Sequence, residues 1–343
     1  MIALILTIYI VVLFVAMIED RIKGQKIYLY VGVAVLLIAM AGLREVGIDN
    51  DSVNYEYSYR HWDQEGILKE VTFSLLSWLG GFITEDVHFL FIIYAVLGVT
   101  LKFVGFRRLM PEAWFMPVLV YVSYYFVLHE MTQIRGGVAA GFFLLAIPHV
   151  CDGRKKKAAF YMFLALLFHY SAISLFPLLV FGNKDLSRRM RLIMAALIPL
   201  AYLAFFCGIA ITSMPLLGDK MAAYQKLSDK GIMVAANVFN VQFLLRIVVF
   251  YFLLYMYPTI RHFNKFLPLM LRYMLVSMLL FLYLSPFSVL AFRIMELYGI
   301  VDIILYASIF YCFKQSNIGR VAVAILCSSQ LFLNLFYLNL LQE

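Results

Sequence analysis

Apolar runs long enough to cross a lipid bilayer recur along almost the whole chain, from residues 2–18 to residues 321–337. A spanning segment must satisfy its own backbone hydrogen bonds, and the alternating pattern of a β-barrel is absent, so these runs are predicted to be helices. The chain is 64% hydrophobic and only 14% charged. We therefore expect an all-α polytopic integral membrane protein, with one transmembrane domain over residues 1–343 and about 10–12 spanning segments.

Ten of the runs are predicted to cross the membrane as straight helices. In chain order they are 2–18, 27–43, 87–104, 114–128, 134–150, 191–211, 241–257, 269–286, 297–313 and 321–337. A shorter amphipathic run at 73–82 cannot span a bilayer and is predicted to lie along its surface. Because the first run begins at Met1 without a preceding basic stretch, no cleavable signal peptide is expected.

The net charge of +8 reflects the orientation of the chain and does not indicate nucleic acid as a partner. Most Lys and Arg residues form short clusters between apolar runs, which is the pattern of cytoplasmic loops. The segment 44–70 instead carries seven carboxylates and three cations. We therefore predict that the N-terminus, a loop at 44–82 with its interfacial helix, and a second loop at 212–240 face outward. The four cysteines lack metal-binding spacing and are expected to be free thiols.

The apolar run at 158–182 does not fit a single straight crossing. Basic clusters at 154–157 and 184–191 flank it, and both are predicted to be cytoplasmic, whereas one helix would separate them. Two half-length helices, each about 18 Å long, would return the chain to the side where it began. We predict a broken helix pair whose tip carries His169 and lines a cavity, since irregular backbone at membrane depth must contact protein or water. One crossing with an outward basic loop is the alternative.

The segment 129–147 places an arginine and three glycines at the start of a membrane helix. Arg135 is predicted to lie about one turn inside, where an unpaired cation becomes costly. Gly136, Gly137 and Gly141 would allow a neighbouring backbone or a bulky ligand to approach closely. A snorkelling arginine beside a helix contact explains this pattern equally well. The other charged groups at the same face are what favour a functional interpretation.

Several further polar elements are predicted to gather at the outward face. They are the segment 42–55, Gln133, the tip at 168–172, the segment 291–298 and, from the opposite wall, Arg246. Arginines at one depth would repel one another unless they share an anion, and the planar guanidinium matches phosphate oxygens. No segment has the spacing of a P-loop, a zinc site or a serine nucleophile elbow.

Each of these groups also has a structural explanation. Arg44 would serve as an interfacial anchor, Asp49 and Asp51 as parts of a solvated turn, and His169 as a hydrogen-bonded residue of the bundle. Arg293 and Glu296, three residues apart, would form an ion pair.

Taken in order, the motifs resemble those of the EpsG-type and Wzy-type polysaccharide polymerases of bacterial membranes. The resemblance covers nearly the whole chain, through Gly42-Leu-Arg44 with Val46-Gly47 and an Asp…Asn-Tyr element, Gln133-Ile-Arg135, the segment 165–172, and Arg293 to Tyr298. The family pattern has a Gly-x-Asp element close to an Asp-Thr/Ser-x-Asn-Tyr element. Here Asp49 fits the first and Asp51 the second, so the family's aspartate corresponds to one or the other.

The resemblance implies a metal-independent glycosyltransferase with a GT-C-like helical bundle and no cofactor. Such enzymes join oligosaccharide repeats carried on undecaprenyl diphosphate, at the outer face of the inner (cytoplasmic) membrane, into O-antigen, capsule or exopolysaccharide. The implied partners are that lipid-linked oligosaccharide, the bilayer, and the chain-length regulator and flippase of the same pathway.

We assign expected roles to the titratable and polar groups of these motifs. Catalytic roles are expected for Arg135, His169, Arg293, Asp49 and Asp51. Substrate-binding roles are expected for Arg44, Tyr55, Glu70, Gln133, Ser171, Arg246, Glu296 and Tyr298.

Three other activities fit parts of the same pattern. A lipid-linked oligosaccharide flippase or small-solute transporter would also use intramembrane arginines and a broken helix pair. Against transport, the sequence has no clear internal repeat, and its polar groups gather near one face. An O-antigen ligase would use the same donor with lipid A as acceptor, and a membrane acyltransferase would modify the polysaccharide.

Overall fold

The computed structural model describes residues 1–22, 24–49, 51–62, 70–207, 235–338 and 341. Its α-helices are α1 (Ile2–Met17), α2 (Lys26–Gly42), α3 (Ser52–Arg60), α4 (Val71–Gly81), α5 (His88–Leu109), α6 (Phe115–Val120), α7 (Ile134–Cys151), α8 (Lys155–Phe168), α9 (Arg188–Phe206), α10 (Val241–Tyr255), α11 (Tyr257–Arg261), α12 (Leu267–Leu284), α13 (Ser288–Ala307) and α14 (Ser316–Phe332). The bundle confirms the predicted all-α membrane fold.

Shorter helical segments of other kinds link or extend these helices. Two π-helical segments, Tyr121–Tyr125 and Val127–Thr132, continue α6 as far as Gln133, and a third, Leu333–Tyr337, extends α14. Segments of 3₁₀-helix occupy Tyr170–Val180 and Ser308–Cys312.

Five helices in the described part of the chain are long and apolar enough to cross a membrane. They are His88–Leu109, Ile134–Cys151, Arg188–Phe206, Leu267–Leu284 and Ser316–Tyr337. The predicted crossings at 2–18 and 27–43 correspond to apolar helices of 16 and 17 residues, α1 and α2. The total of 10–12 crossings stays a prediction.

One predicted segment boundary differs from the structure. The crossing placed at 297–313 begins at Ser288, so Arg293 and Glu296 lie inside α13 and not before it. The acidic segment 44–70 contains a helix, α3. The interfacial helix predicted at 73–82 corresponds to α4, and the second predicted loop, 212–240, lies mostly outside the described residues.

Helix α7 lies at the centre of the bundle and packs against α5, α8 and α13. Most of its residues are buried, and Gly137 and Gly141 are among them. A Cβ at Gly137 would lie 2.3 Å from the carbonyl oxygen of His129. The glycines were expected to admit either a neighbouring backbone or a bulky ligand. At Gly137 it is the backbone of His129 that approaches, and this contact holds the start of α7 against the preceding π-helical segment.

The predicted break in the run 158–182 is present. Helix α8 ends at Phe168, His169 is extended with φ −153° and ψ 119°, and the chain continues as 3₁₀-helix. The chain then returns to the end of the bundle from which α8 began. Arg272 donates to the carbonyl oxygens of Gly182 and Lys184, at 2.7 Å each, and also acts electrostatically on Cys151, the last residue of α7.

This arrangement gives an expected result for labelling from outside the cell. In a cysteine-free background, an impermeant maleimide should label Tyr57→Cys but not Lys184→Cys, because the basic clusters are predicted to be cytoplasmic. Both side chains are exposed in the structure, so access within the protein does not limit either reaction. Permeabilised cells, where both positions should react, are the control; labelling of position 184 in intact cells would contradict the predicted orientation.

Candidate functional site

Glu70 joins three segments that are distant in sequence. It lies immediately before α4, and its Oε2 accepts from Arg135 Nη1 in the first turn of α7. Its Oε1 lies 2.9 Å from Nδ1 of His169, at the break after α8. The Arg135 guanidinium also lies over the rings of Tyr55 and Phe73, at 5.5 and 5.4 Å. Helices α3, α4, α7 and α8 thus meet at one polar cluster.

The environment of Glu70 stabilises its carboxylate form. Burial by itself would raise the pKa of Glu70, but the hydrogen bond with His169 and the charge of Arg135 outweigh it and lower the pKa to about 2. A carboxylate held in this way orients its two partners and is a weak proton acceptor. We therefore interpret Glu70 as the group that positions Arg135 and His169.

Asp51 lies beside the same cluster, and its side chain does not cap α3. Burial and the neighbouring Asp49 raise the pKa of Asp51, while the charges of Arg135 and Arg293 oppose the rise. Two arginines from different helices, α7 and α13, therefore act on one half-buried carboxylate. Tyr55 completes this side of the site, and burial raises the pKa of its hydroxyl to about 12.

Arg293 is exposed, and its expected ion pair with Glu296 does not form. Glu296 Oε2 instead accepts from Gln133 Nε2, at 2.7 Å. Gln133 is the residue at which the π-helical segment ends and α7 begins, and its backbone angles are not helical. Within the described ranges, the Arg293 side chain has neither a hydrogen bond nor an ion pair, so its donors are free for a ligand.

Arg44 and Asp49 do not reach this open cluster. Both side chains are fully buried, and Arg44 Nε lies 3.0 Å from Asp49 Oδ2. Arg44 also donates to the carbonyl oxygens of Ala41 and Met131, at 2.6 and 2.8 Å, and lies 3.9 Å from the ring of Phe91. Its donors are used within the protein, which makes a direct contact with substrate unfavourable.

Asp49 has a second structural task besides pairing with Arg44. Its Oδ1 accepts from the backbone N–H groups of Asp51 and Ser52, at 3.0 and 2.9 Å, and so stabilises the start of α3. The turn offered as a structural explanation of the aspartates is therefore present, but at Asp49 it is buried and not solvated. The structure thereby separates the two aspartates: Asp49 holds the loop in place, whereas the charges of Arg135 and Arg293 act on Asp51.

Arg246 belongs to a second buried polar cluster. Its Nε lies 2.8 Å from Asp302 Oδ2, and its Nη1 donates to Ser277 Oγ at 2.8 Å. The hydroxyl of Tyr125 donates to the same Asp302 oxygen, at 3.0 Å. A cavity beside this cluster also borders Glu296. Arg246 therefore does not join Arg135 directly, and Glu296 is the residue that touches both regions.

The two remaining predicted binding residues support the hairpin. The hydroxyl of Tyr298 donates to the carbonyl oxygen of Ser174, at 2.5 Å, and so attaches α13 to the 3₁₀ segment. Ser174 in turn donates to the carbonyl oxygen of Ser171, at 2.7 Å. Tyr298 and Ser171 thus fix the segment that follows His169, which gives them a positioning role beside the cluster.

Sequence reasoning missed a buried pair in the core. Lys102 lies within the predicted crossing 87–104, where it is fully buried in α5 and pairs with Glu130. Its Nζ also donates to the carbonyl oxygen of Gly137, at 2.8 Å, and Tyr121 donates to Glu130 Oε1 at the same distance. An ionisable residue inside a predicted crossing, as Lys102 and Asp302 are, is the signal that would have found both buried pairs.

Within the described ranges, no group of three or more His, Cys, Asp or Glu side chains is arranged to hold a metal ion. The polar cluster at Glu70 combines two cations, a histidine and two carboxylates. Chemically, this set suits an anionic ligand beside a group that accepts a proton.

Comparison with known proteins identifies a family. The model of the EpsG family matches residues 27–341, which is nearly the whole chain and includes every residue of the cluster. Neither a curated protein nor a solved structure matches.

Proposed function

The chain belongs to the EpsG family, a family of Wzy-type polysaccharide polymerases, and we propose that it joins oligosaccharide repeats carried on undecaprenyl diphosphate into a surface polysaccharide. The proposed reaction takes place at the outer face of the inner membrane and requires no metal. The observation that carries the proposal is that the charges of Arg135 and Arg293, from two different helices, both act on the Asp51 carboxylate.

The two arginines suit the departure of a lipid diphosphate. The acceptor hydroxyl oxygen attacks C1 of the sugar at the reducing end of the growing chain, and the bond from C1 to the diphosphate oxygen breaks. The electron pair leaves with the diphosphate, where negative charge increases in the transition state. Fixed cationic donors aimed at that charge lower the barrier, and two guanidinium groups can supply them without a metal.

Asp51 is the group we assign to accept the proton of the acceptor hydroxyl. A general base works best when its pKa is not far below the working pH, and burial beside Asp49 raises the pKa of Asp51. Glu70 is less suited, because its two oxygens are engaged by Arg135 and His169. His169 would contact substrate from the hairpin tip, with Glu70 fixing the orientation of its ring.

The remaining expected contacts divide by whether they border the cluster. Tyr55, Gln133 and Glu296 border the cluster and are proposed to line the sugar path. Arg44, Asp49, Arg246, Tyr298 and Ser171 are proposed to act through the segments that they hold in place.

Deletion of the gene followed by sizing of the surface glycan tests this function. A polymerase deletion should leave one repeat on each carrier, with full-length chains restored by the wild-type gene. A flippase deletion would leave no repeat at the surface, and a ligase deletion would leave long chains still attached to undecaprenyl diphosphate. Either of the last two outcomes would contradict the proposal.

A further inference from the structure

A basic groove lies at the opposite end of α7 from Arg135. It is lined by Arg108 from the end of α5, His149 from the last turn of α7, and Lys156, Lys157, Phe160 and Tyr161 from the first turns of α8. Helix α7 has 18 residues, so this groove is roughly 27 Å from the cluster at Glu70. It takes no part in the proposed reaction.

The charges in the groove are not balanced by the protein. None of its six lining residues is acidic, and the nearby Asp152 pairs with Arg154. Lys156 and Lys157 also lie at the positive end of the α8 dipole, where cations are unfavourable and anions are favoured. Arg108 and Lys157 both act electrostatically on His149. An anion in the groove would relieve several of these repulsions together.

Aromatic side chains also line the groove and the helix face beside it. The ring of His149 stacks on that of Tyr161, with centroids 5.3 Å apart and planes 10° from parallel. Its Nδ1 is buried and has no hydrogen-bond partner among the described residues. Beyond the lysines, Phe160 and Phe163 expose 57% and 48% of their surface on one side of α8. A polar recess thus opens directly onto an apolar helix face.

We propose that this groove binds the phosphate headgroup of an anionic phospholipid, with an acyl chain along Phe160 and Phe163. Phosphate oxygens would interact with Lys156, Lys157 and Arg108, while the exposed phenylalanines contact the hydrocarbon that follows. A basic pocket between membrane helices at the predicted cytoplasmic end is a suitable setting for such a lipid. A free phosphate would use the cations alone and would have no need of the apolar face.

The test measures retained lipid on the purified full-length chain in a neutral detergent, by native mass spectrometry during titration with phosphatidylglycerol. The wild type should bind one phosphatidylglycerol more tightly than phosphatidylcholine. Lys156→Gln/Lys157→Gln should weaken that binding about 25-fold, at roughly fivefold for each cation. Arg108→Gln, a single change on a different helix, should weaken it about fivefold.

Arg188→Gln/Arg189→Gln is the matched control. It removes the same charge from the first turn of α9, where both side chains are exposed and neither lines the groove. This variant should bind within about twofold of the wild type. Equal losses in the two double variants, or equal binding of phosphatidylglycerol and phosphatidylcholine, would overturn the proposal. If inorganic phosphate displaced phosphatidylglycerol at equal concentration, the site would be one for a free anion, and the lipid assignment would fail.

Discussion

Asp51→Asn should stop chain extension while the protein remains in the membrane at its normal level, whereas Asp49→Asn should lower the protein level itself. The two residues are only two positions apart, yet their surroundings differ completely. Asp51 is half-buried beside two arginines, and its side chain makes no cap. Removing a general base typically costs roughly 10²–10⁴ in rate. Because Asn is similar in size to Asp, this loss should occur without unfolding.

Asp49→Asn changes a different quantity, the free energy of unfolding. The Arg44 side chain is fully buried, and this substitution removes the carboxylate that balances its charge. Removing one partner of a buried ion pair typically costs about 3–5 kcal/mol. The expected result is a lower membrane abundance and a lower unfolding temperature in detergent. The rate of polymerisation per folded molecule should change much less.

Two measurements separate these outcomes: the length distribution of the glycan and the amount of each variant in the membrane.

The pH dependence of activity is a further check. The rate of the wild type should fall as pH decreases through the pKa of Asp51, since protonation removes the base. The residual rate of Asp51→Asn should lack that dependence. Normal chain lengths in Asp51→Asn at normal abundance would contradict the assignment.

The aspartates also show how far the sequence could predict this site. Sequence motifs indicated that one of the two was functional but could not say which. The structure distinguishes their surroundings through Arg44, whose side chain turns inward to Asp49 and to the carbonyl oxygens of Ala41 and Met131. A motif gives residue types and spacing, whereas the direction of a buried side chain follows from tertiary packing.

The broken hairpin was easier to predict than the contacts around its tip. Charge clusters on both sides of the apolar run required the chain to return, and the polar residues beside His169 marked the break. The interaction of His169 with Glu70 could not be predicted in this way, since the two residues are 99 positions apart. The polar character of Glu70 was visible in the sequence, but its central position was not.

The break before α7 was predicted, but the π-helical turns that precede it had no signal in the sequence. The run 114–128 was expected to be one straight crossing, but π-helical turns carry it to Thr132, and Gln133 then breaks the helix. That break directs Gln133 toward Glu296 and leaves Arg293 without the expected ion pair. Such π-helical segments often accompany functional sites, and their positions depend on packing that a single sequence does not reveal.

Substitution of the two arginines by lysine should be nearly as damaging as substitution by alanine. If Arg135 and Arg293 hold the departing diphosphate, the planar, two-pronged guanidinium matters as well as its charge. Loss of one such donor typically costs roughly 10²–10³ in rate. We therefore expect Arg135→Lys and Arg293→Lys strains to make mainly single repeats, with each variant present in the membrane at normal abundance.

The structure makes Arg293 the sharper of these two tests. Arg135→Lys also alters the contact with Glu70 and therefore the position of His169, so part of its effect would be indirect. Arg293 is exposed and forms neither a hydrogen bond nor an ion pair with the described residues, so its replacement disturbs little within the protein. A large loss of activity in Arg293→Lys would then reflect a lost interaction with substrate.

A matched control comes from Arg60, an exposed arginine whose only described ion pair is with Glu56, one turn earlier in α3. Arg60→Lys should leave chain length unchanged, because an exposed pair of this kind contributes little and lysine can replace it. Arginines that merely anchor helices at the membrane surface would behave like Arg60, since lysine extends to the interface equally well. Long glycan chains in both Arg135→Lys and Arg293→Lys would therefore exclude the diphosphate clamp and leave these residues as structural cations.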